Sequence, residues 1–286
     1  MIEQFEQGVL PSKEEWQKSI LKLKAKVVPA TKEQVREALI AAVNKRIPKG
    51  KFGLFLSGGV DSSLLALLLK QAGANFVAVS VGIKGSKDLE FAEKIAKHLK
   101  LNWVSKVYSE EEMSALAKEV AKLVPVKDVV SIGVGCVEVA AANLGKENGV
   151  SLFFGGLGSE EVFAGYHEHA LAKDINEACW NGMLNRLHDR DLTRDAALGA
   201  ALKISVRCPF LDDEVIVKAM GIKGEEKIKG EHKKFILREI AESLGLPKEI
   251  AWRKKMAAQY GSGFDKAIER LARKTNKQKG VFVQSL

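Results

Sequence analysis

One segment, FGLFLSGGVDSSLLALLL at residues 52–69, constrains the fold of this chain more than any other. It has the pattern of an apolar strand, a loop with two adjacent glycines, and an apolar helix. Gly58 and Gly59 allow a tight turn and a close approach of the backbone to an anion, and the following helix amino terminus adds a positive dipole end. The loop is therefore predicted to bind phosphate groups. It has no Gly-Lys-Ser/Thr sequence, so it is not the Walker loop.

Apolar runs alternate with helical patterns through the first half of the chain. The repetition of strand, helix and strand indicates right-handed crossovers and an α/β fold with a parallel sheet covered by helices on both faces. Ligands bind such sheets where loops leave the carboxyl ends of the strands. The predicted strands are residues 52–56, 76–81, 103–107 and 150–154, and the predicted helices between them are 62–71, 89–99 and 111–124.

The length of 286 residues suits one large domain or one domain with a lobe. Residues 1–34 are predicted to form a helical preamble. Thr31, near its end, is a candidate cap for a helix that buries Val35, Leu39 and Val43. Residues 35–165 are predicted to form the α/β core. Strand signals fade beyond residue 163, so residues 166–286 are expected to form a mostly helical lobe that completes the site.

Composition narrows the class of protein. The net charge is +9, with 45 basic against 36 acidic residues, which favours anionic partners such as nucleotides or RNA, although a solvated basic surface gives the same count. The three cysteines are far apart in sequence, which argues against a disulfide framework and a cysteine zinc site. No apolar run approaches the length of a membrane span. A cytoplasmic protein is expected.

His167 and His169 are expected to be surface histidines and not a pair of metal ligands, because residues two apart on a helix do not face each other.

The loop SGGVDSS at residues 57–63 resembles that of the PP-loop ATP pyrophosphatases, which cleave ATP between the α and β phosphates. Four further segments resemble the synthetase domain of asparagine synthetase. In that family a glutaminase domain usually forms the first half, and no such domain is expected before these segments. In chain order these segments are SVGIKGSKDLEFAEKIAKHL (80–99), LFFGGLGSEEVFAGY (152–166), RCPFLDDEVIVKAM (207–220) and KKFILREIAESLGLPKEIAWRKKMAAQYGSG (233–263).

The resemblance implies ATP and Mg²⁺ as cofactors and assigns a role to individual residues. Asp61 and Glu160 would share Mg²⁺, and both are hard oxygen ligands that suit this ion. Lys255 would steady negative charge on the reacting phosphate, although it lies in a run of basic residues and a surface lysine is the competing interpretation. The nucleotide-binding positions are the backbone of Leu56 and Val81 at adenine, Ser57, Gly58, Gly59, Asp61, Ser62 and Ser63 of the first loop at pyrophosphate, and Gly155 and Gly156 in a second glycine-rich loop, which follows the predicted strand 150–154.

Two positions depart from the family. Leu157 stands where the family has a glutamate that handles the proton of the attacking amine, and leucine cannot accept a proton. Gly133 stands where the family has an arginine, so the pocket for the amino-acid substrate is expected to differ. Either a nearby carboxylate such as Glu161 replaces the missing base, or the true acceptor brings or needs a different base. The second is the hypothesis here, because Gly133 also departs from the family. Asp61, Lys255 and Glu161 are the candidate catalytic residues.

The resemblance implies an ATP-dependent amide-forming ligase. It would adenylylate an aspartate-like carboxylate, pass the acyl group to an ammonia-like amine, and release AMP and pyrophosphate. A separate glutaminase subunit and a homodimer remain open as partners. Two alternatives stay open. The positive charge favours a PP-loop enzyme that modifies tRNA, and Leu157 favours a catalytically silent nucleotide-binding subunit.

Overall fold

A computed structural model describes residues 2–254 and 256–286 of the chain. Within these residues the strands are β1 (Phe52–Phe55), β2 (Phe76–Ile83), β3 (Trp103–Tyr108), β4 (Leu152–Phe154) and β5 (Ser205–Arg207). The helices up to the second half of the chain are α1 (Ile2–Glu6), α2 (Lys13–Lys24), α3 (Lys32–Asn44), α4 (Val60–Gln71), α5 (Lys87–Leu99), α6 (Glu110–Leu123) and α7 (Val129–Glu147).

The second half is mostly helical. A π-helix (Gly182–Leu192) connects two of its α-helices, and a short 3₁₀-helix (Pro209–Leu211) follows β5. The α-helices are α8 (Ser159–Val162), α9 (His167–Leu171), α10 (Ile175–Asn181), α11 (Thr193–Leu202), α12 (Asp213–Met220), α13 (Gly224–Lys227), α14 (Phe235–Ser243), α15 (Lys248–Ala251), α16 (Ala258–Gly261), α17 (Phe264–Lys274) and α18 (Lys279–Gln284).

The strands form one parallel sheet in the order β3-β2-β1-β4-β5. The parallel sheet predicted from the sequence is therefore confirmed, and the four predicted strands all belong to it. Strand β5 was not predicted. It has only three residues, too few to show an alternating pattern, and it gains its place by pairing with β4, where Phe154 lies opposite Arg207.

Helices cover both faces of the sheet, as predicted. Alternate side chains of β2 point to opposite faces, as the period of a strand requires. Phe76 and Ala78 pack into a core shared with α3, α4 and α5. Val77, Val79 and Val81 pack into a second core with α6, α7 and α17. The sheet is thus buried on both sides, which is the usual state of a parallel sheet.

Helix α3 shows how local sequence positions an element before the first strand. The Thr31 hydroxyl accepts a hydrogen bond from the backbone N–H of Gln34, whose side chain accepts one from Thr31 N–H in return. This is a capping box, and it confirms the predicted cap. Val35, Leu39 and Val43 are all fully buried, as their helical spacing predicted.

Helix α7 runs through the second core and contributes one wall of the cavity described below. Among the described residues it is the one helix long and apolar enough to cross a membrane by length and composition, with a mean hydropathy of 1.4 in its most apolar window. The expectation that no apolar run approaches that length overlooked this helix. It packs against β2, α6 and α11 inside the fold. A buried core helix has the same composition, so this helix is explained by its place in the core.

Candidate functional site

The loop between β1 and α4 has the geometry expected of an anion-binding turn. Gly58 has a φ of +65°, and Gly59 is the cap residue of α4. The Ser57 N–H donates to the Ser62 hydroxyl over 3.1 Å, which closes the loop on the first turn of the helix. A Cβ atom on Gly58 would lie 2.5 Å from backbone atoms of α5. Both the backbone angle and this close approach require glycine.

A cavity of about 260 Å³ lies at the carboxyl ends of β1, β2 and β4. Gly58 and Gly59 shape the first loop without lining this cavity, and Ser63 is fully buried outside the lining. Lys255 lies outside the described residues. The predicted site residues that the cavity brings together are Leu56, Ser57, Asp61, Ser62, Val81, Gly155, Gly156, Glu160 and Glu161, and Leu157 lines it as well.

Hydrogen bonds with the neighbouring strand β2 hold the backbone of Leu56 in place. Its N–H donates to Val79 O over 2.9 Å, and its carbonyl accepts from the Ser80 hydroxyl over 2.6 Å. The indole N–H of Trp103 donates to the same hydroxyl over 2.8 Å, which fixes its orientation. Val81 lies two residues beyond the point where Val79 pairs with the last residue of β1. The Val81 backbone therefore stands at the carboxyl edge of the sheet, where an adenine contact is predicted.

Lys234 joins the two predicted metal ligands. Its ammonium group donates to both carboxylate oxygens of Asp61, over 3.0 and 2.9 Å, and lies 2.7 Å from Glu160 Oε1. It also donates to the Ser159 hydroxyl over 3.0 Å. Lys234 is only 3% exposed and precedes α14 with a φ of +55°. The residues of the first and second loops thus converge on one buried cation, which the sequence had not singled out.

The donor set at this point suits Mg²⁺. Magnesium is commonly held by one or two carboxylates together with phosphate oxygens and water. Asp61 and Glu160 supply two carboxylates on one wall of the cavity. The described part of the chain contains no group of three or more His, Cys, Asp or Glu side chains that could hold a metal alone. A metal shared with a nucleotide fits this arrangement of two carboxylates.

Gly165 makes room for this ion pair. A Cβ atom at this position would overlap the carboxylate of Glu160 and the end of the Lys234 side chain. The glycine in the sequence FAGY is therefore a packing requirement of the second loop. Its absence of a side chain lets the Glu160 carboxylate reach the ammonium group.

Glu161 is a buried carboxyl group whose pKa lies well above that of an ordinary glutamate. It is 1% exposed, and its Oε1 accepts a hydrogen bond from the Tyr166 hydroxyl over 2.8 Å. The guanidinium of Arg190 donates to that hydroxyl over 3.3 Å. Burial, followed by the negative charge of Asp191, raises the pKa of Glu161 to about 7. A carboxyl group with such a pKa can accept a proton near neutral pH.

A second group of charged side chains lines the same cavity and was missed by the sequence analysis. Glu138 belongs to α7, and Asp191, Arg194 and Asp195 come from the π-helix and α11. Arg194 lies 2.9 Å from Asp191 and 2.6 Å from Asp195. Glu138 is the only charged residue between positions 129 and 145. That isolation within an apolar run was the signal that could have identified it.

Arg253 is a further missed residue. Its guanidinium donates to the carbonyl of Ser57 over 3.1 Å and to Asp88 Oδ1 over 2.7 Å, and it lies 4.3 Å above the ring of Phe91. It stands in the basic run WRKK at residues 252–255, a composition typical of a surface, but it is buried. The basic run therefore begins inside the protein, where Arg253 ties the first loop to α5.

The two histidines of α9 differ from the sequence expectation. His167 is exposed, as predicted, but His169 is fully buried, so the expectation of a surface residue was wrong there. The Nδ1 atom of His169 accepts a hydrogen bond from the Tyr166 N–H over 3.3 Å. Burial lowers the pKa of His169 to about 4, which keeps the ring neutral.

Comparison with known proteins identifies related sequences over most of the chain. The asparagine synthase family profile matches residues 34–183 and 168–282. The chain is 33% identical to the protein named "Putative asparagine synthetase (glutamine-hydrolyzing) 1" of Methanocaldococcus jannaschii, over 88% of this chain and 53% of that protein. It is 30% identical to asparagine synthetase B (glutamine-hydrolyzing) of Escherichia coli strain K12, over 82% of this chain and 45% of that protein.

The chain spans about half the length of these curated relatives. Among solved structures, NMN synthetase from Francisella tularensis matches with a TM-score of 0.46 and 13% identity, over 88% of this chain and 91% of that one. A likeness at that level adds nothing to the match with the family profile.

Proposed function

Because this chain belongs to the asparagine synthase family, we propose that it is an ATP-dependent ligase that adenylylates a carboxylate and transfers the acyl group to an amine. One observation carries the proposal. Asp61 of the first loop and Glu160 of the second loop share the ammonium group of Lys234 on the wall of one cavity. Both loops are candidates to bind phosphate, and they converge on one buried cation. This arrangement suits a nucleotide whose α and β phosphates separate.

In the first half-reaction a carboxylate oxygen of the acid attacks the α-phosphorus of ATP. The bond from that phosphorus to the bridging oxygen breaks, and pyrophosphate leaves. The N–H groups and hydroxyls of residues 57–63 surround the departing pyrophosphate. Lys234 is already in place to stabilise its negative charge, and a preorganised cation of this kind contributes most where charge develops. Lys255 keeps its predicted role at the reacting phosphate.

Asp61 and Glu160 are the residues that would hold Mg²⁺ with the nucleotide. The ion would neutralise phosphate charge when it is bound. Lys234 has a second role here, because it keeps the two carboxylates together when their negative charges would otherwise repel.

In the second half-reaction the amine nitrogen attacks the acyl carbonyl carbon, the bond to AMP breaks, and the nitrogen loses a proton. Leu157 cannot take that proton. Glu161 lines the same cavity, is buried, and is oriented by Tyr166. We assign the base role to Glu161, with Tyr166 as the residue that positions it.

The proposal is tested by ATP–pyrophosphate exchange, which measures return of labelled pyrophosphate into ATP only when an acid is activated. Each member of a panel of carboxylic acids is incubated with the protein, ATP, Mg²⁺ and labelled pyrophosphate. Asp61→Asn is expected to lower exchange by about 100-fold or more, because it removes a negative ligand at nearly unchanged size. Asp213→Asn, at an exposed position of α12, is the matched control. Normal exchange by Asp61→Asn would refute the nucleotide site.

One observation favours a second candidate, a nucleotide-binding subunit without ligase activity. Leu157 lines the cavity at the position where the family has its glutamate. ATP binding without exchange in any mixture of acids would support this candidate. If exchange occurs, amide formation by the natural protein and by Leu157→Glu is compared. Slow synthesis that the glutamate accelerates indicates that acceptor chemistry has been lost or shifted at this position.

A further inference from the structure

Two side chains hold Tyr166, whose hydroxyl donates to the carboxyl group of Glu161. The guanidinium of Arg186 lies 4.0 Å above the centre of the tyrosine ring. The ring of His169 packs edge-on against the same ring, with centroids 5.4 Å apart, and its Nδ1 accepts a hydrogen bond from the Tyr166 N–H over 3.3 Å. We call Tyr166, Arg186 and His169 the tyrosine clamp. What holds the clamp together also bears on the orientation of Glu161.

Both side chains that hold Tyr166 carry buried N–H groups in need of an acceptor. Arg186 forms an ion pair with Glu168 through Nη1, while its Nε and Nη2 are buried and donate to no described residue. Burial keeps the ring of His169 neutral, and its Nδ1 is an acceptor, so the ring proton lies on Nε2. The Nε2 atom is buried as well and donates to no described residue. Buried donors are rarely left in this state, because their lost hydration is not repaid.

Two of these donors face one position beside Gly182, in the first turn of the π-helix. A Cβ atom on Gly182 would lie 3.5 Å from Arg186 Nη2 and 3.8 Å from His169 Nε2. It would also lie 3.5 Å from the Cγ atom of Glu161. These are ordinary van der Waals separations, so Gly182 leaves room for a small group between the two donors. A polar position of this size suits a water molecule, which can accept two hydrogen bonds.

A neutral acceptor fits this position better than an anion. The positive charge of Arg186 is already paired with Glu168, and the side chain of Glu161 borders the position. An anion would be repelled by these two acidic side chains at close range. A water molecule carries no charge and can still satisfy both N–H groups.

We propose that a water molecule binds beside Gly182, accepts hydrogen bonds from Arg186 Nη2 and His169 Nε2, and completes the clamp that positions Tyr166 and, through it, Glu161. Arg186 and His169 are then positioning residues, since neither lines the cavity at the two loops. The consequence for catalysis rests on the proposed function, whereas the water site does not.

Two substitutions at Gly182 distinguish a water site from an ordinary packed position. Alanine and serine add the same Cβ atom, but serine also adds a hydroxyl that can accept hydrogen bonds in place of the water. Helix propensity alone favours alanine over serine. We expect the opposite order, with Gly182→Ser melting about 2 °C or more above Gly182→Ala, because only the alanine leaves both buried donors without an acceptor.

Gly280 of α18 provides the matched control, since a Cβ atom there would meet nothing within 4 Å. At this position alanine should melt at or above serine, as propensity predicts. Thermal unfolding of the four variants is followed by circular dichroism. A melting temperature of Gly182→Ala equal to or above that of Gly182→Ser would contradict the water site.

A high-resolution crystal structure tests the site directly. Density for a water molecule within about 3.2 Å of both Arg186 Nη2 and His169 Nε2 is expected in the wild-type protein and should be lost in Gly182→Ala. Crystals grown with bromide in place of chloride show whether a halide binds instead, because bromide gives an anomalous signal. No density between the two donors, or an anomalous peak there, overturns the assignment.

Amide formation measures the role of the clamp in catalysis. The assay uses ammonium and the carboxylic acid that best supports ATP–pyrophosphate exchange. Gly182→Ala is expected to lower kcat for amide formation by about 10-fold and to change exchange by less than about twofold, because only the second step needs Glu161 in place. Gly182→Ser should recover most of the loss, and Gly280→Ala should change neither rate.

The outcomes separate failure of this inference from failure of the proposed function. Unchanged amide formation in Gly182→Ala, or equal losses in amide formation and exchange, contradicts the role of the clamp while the ligase assignment stands. If no acid supports exchange, the proposed function fails, and the order of melting temperatures and the crystallographic density still decide whether the water site exists.

Discussion

Lys234 shows how much of the site depends on a single residue. A buried lysine costs desolvation free energy, which its charge partners must offset. Here Asp61 and Glu160 come from loops about 100 residues apart in sequence, and the lysine itself comes from a third segment. The positive φ of Lys234 is also unusual for a residue with a side chain. A backbone held in this way orients the ammonium group toward both loops.

We predict that Lys234→Met lowers ATP–pyrophosphate exchange by about 100-fold or more, since it removes a preorganised charge but keeps the length of the side chain. The measurement is the exchange rate at saturating ATP and acid. Lys233→Met is the matched control, because Lys233 is the adjacent lysine and is not buried. Equal losses in both variants would assign the effect to the general basic character of this segment.

The buried side chain of His169 gives a prediction about how the stability of the protein depends on pH. Burial lowers its pKa to about 4 in the folded protein, whereas an unfolded histidine titrates near 6.5. Between these values the unfolded state binds more protons, so this residue's contribution to stability falls as pH decreases from about 6.5 to 4. We predict that His169→Asn, which keeps an acceptor for the Tyr166 N–H, flattens the fall of the melting temperature in this window. His167→Asn, on the exposed side of α9, should not.

The sequence predicted many site residues because they lie in contiguous motifs. Ser57 and Asp61 follow a strand and open a helix, so their place at the sheet edge could be inferred. Lys234 and Arg253 could not be separated from neighbouring basic residues, because their burial depends on contacts with distant loops. Glu138 was overlooked for the opposite reason, since a single carboxylate does not change the period of an apolar helix.

At the scale of elements, the amino and carboxyl ends of α4 provide a controlled comparison. Gly58 precedes the helix with a φ of +65°, and Gly73 follows it with a φ of +68°. A Cβ atom on Gly58 would meet the backbone of α5 at 2.5 Å, whereas one on Gly73 would meet nothing within 4 Å. Alanine at either position therefore imposes the same backbone cost, and only Gly58→Ala adds a steric overlap.

We predict that Gly73→Ala lowers the free energy of unfolding by about 1–2 kcal/mol, the cost of a left-handed backbone for a residue with a Cβ. Gly58→Ala should cost more and should also weaken ATP binding, because the loop must move away from α5. Denaturant unfolding and calorimetric binding of ATP measure the two effects. Equal stability and equal ATP affinity in the two variants would show that the loop is not held by this contact.

Some strands and helices could be predicted from the sequence and others could not. Strands β1 to β4 were predicted from apolar runs bounded by helical patterns, and α3 from its cap and its spacing. Strand β5 was missed because its three residues owe their conformation to pairing with β4, which lies about 50 residues earlier. The π-helix was missed too, since its extra residue per turn leaves no simple period in the sequence. Both elements carry residues next to the site.

At the scale of the whole molecule, Arg46 connects three parts of the chain. It follows α3, and its guanidinium lies 2.7 Å from Glu6 of α1 and 2.7 Å from Asp212, which caps α12. Glu6 also accepts a hydrogen bond from the N–H of Cys208, just after β5, over 2.8 Å. These groups are buried. The first helix, the helix before β1 and the segment after β5 are therefore held by one ionic network.

Such a network predicts that the amino-terminal segment, the sheet and the segment after β5 unfold together. We expect Arg46→Met to lower the free energy of unfolding by about 3–5 kcal/mol, because it leaves buried carboxylates without their main cation. Lys45→Met is the control, since Lys45 contacts the same Asp212 over 2.9 Å but is half exposed, and an exposed pair contributes about 0–1 kcal/mol. Chemical unfolding is followed both by tryptophan fluorescence, to which Trp16 and Trp103 contribute from different segments, and by circular dichroism. Coincident transitions with a large loss only in Arg46→Met support the network. Two separate transitions, or equal losses in both variants, would mean that the amino-terminal segment is stabilised independently of the sheet.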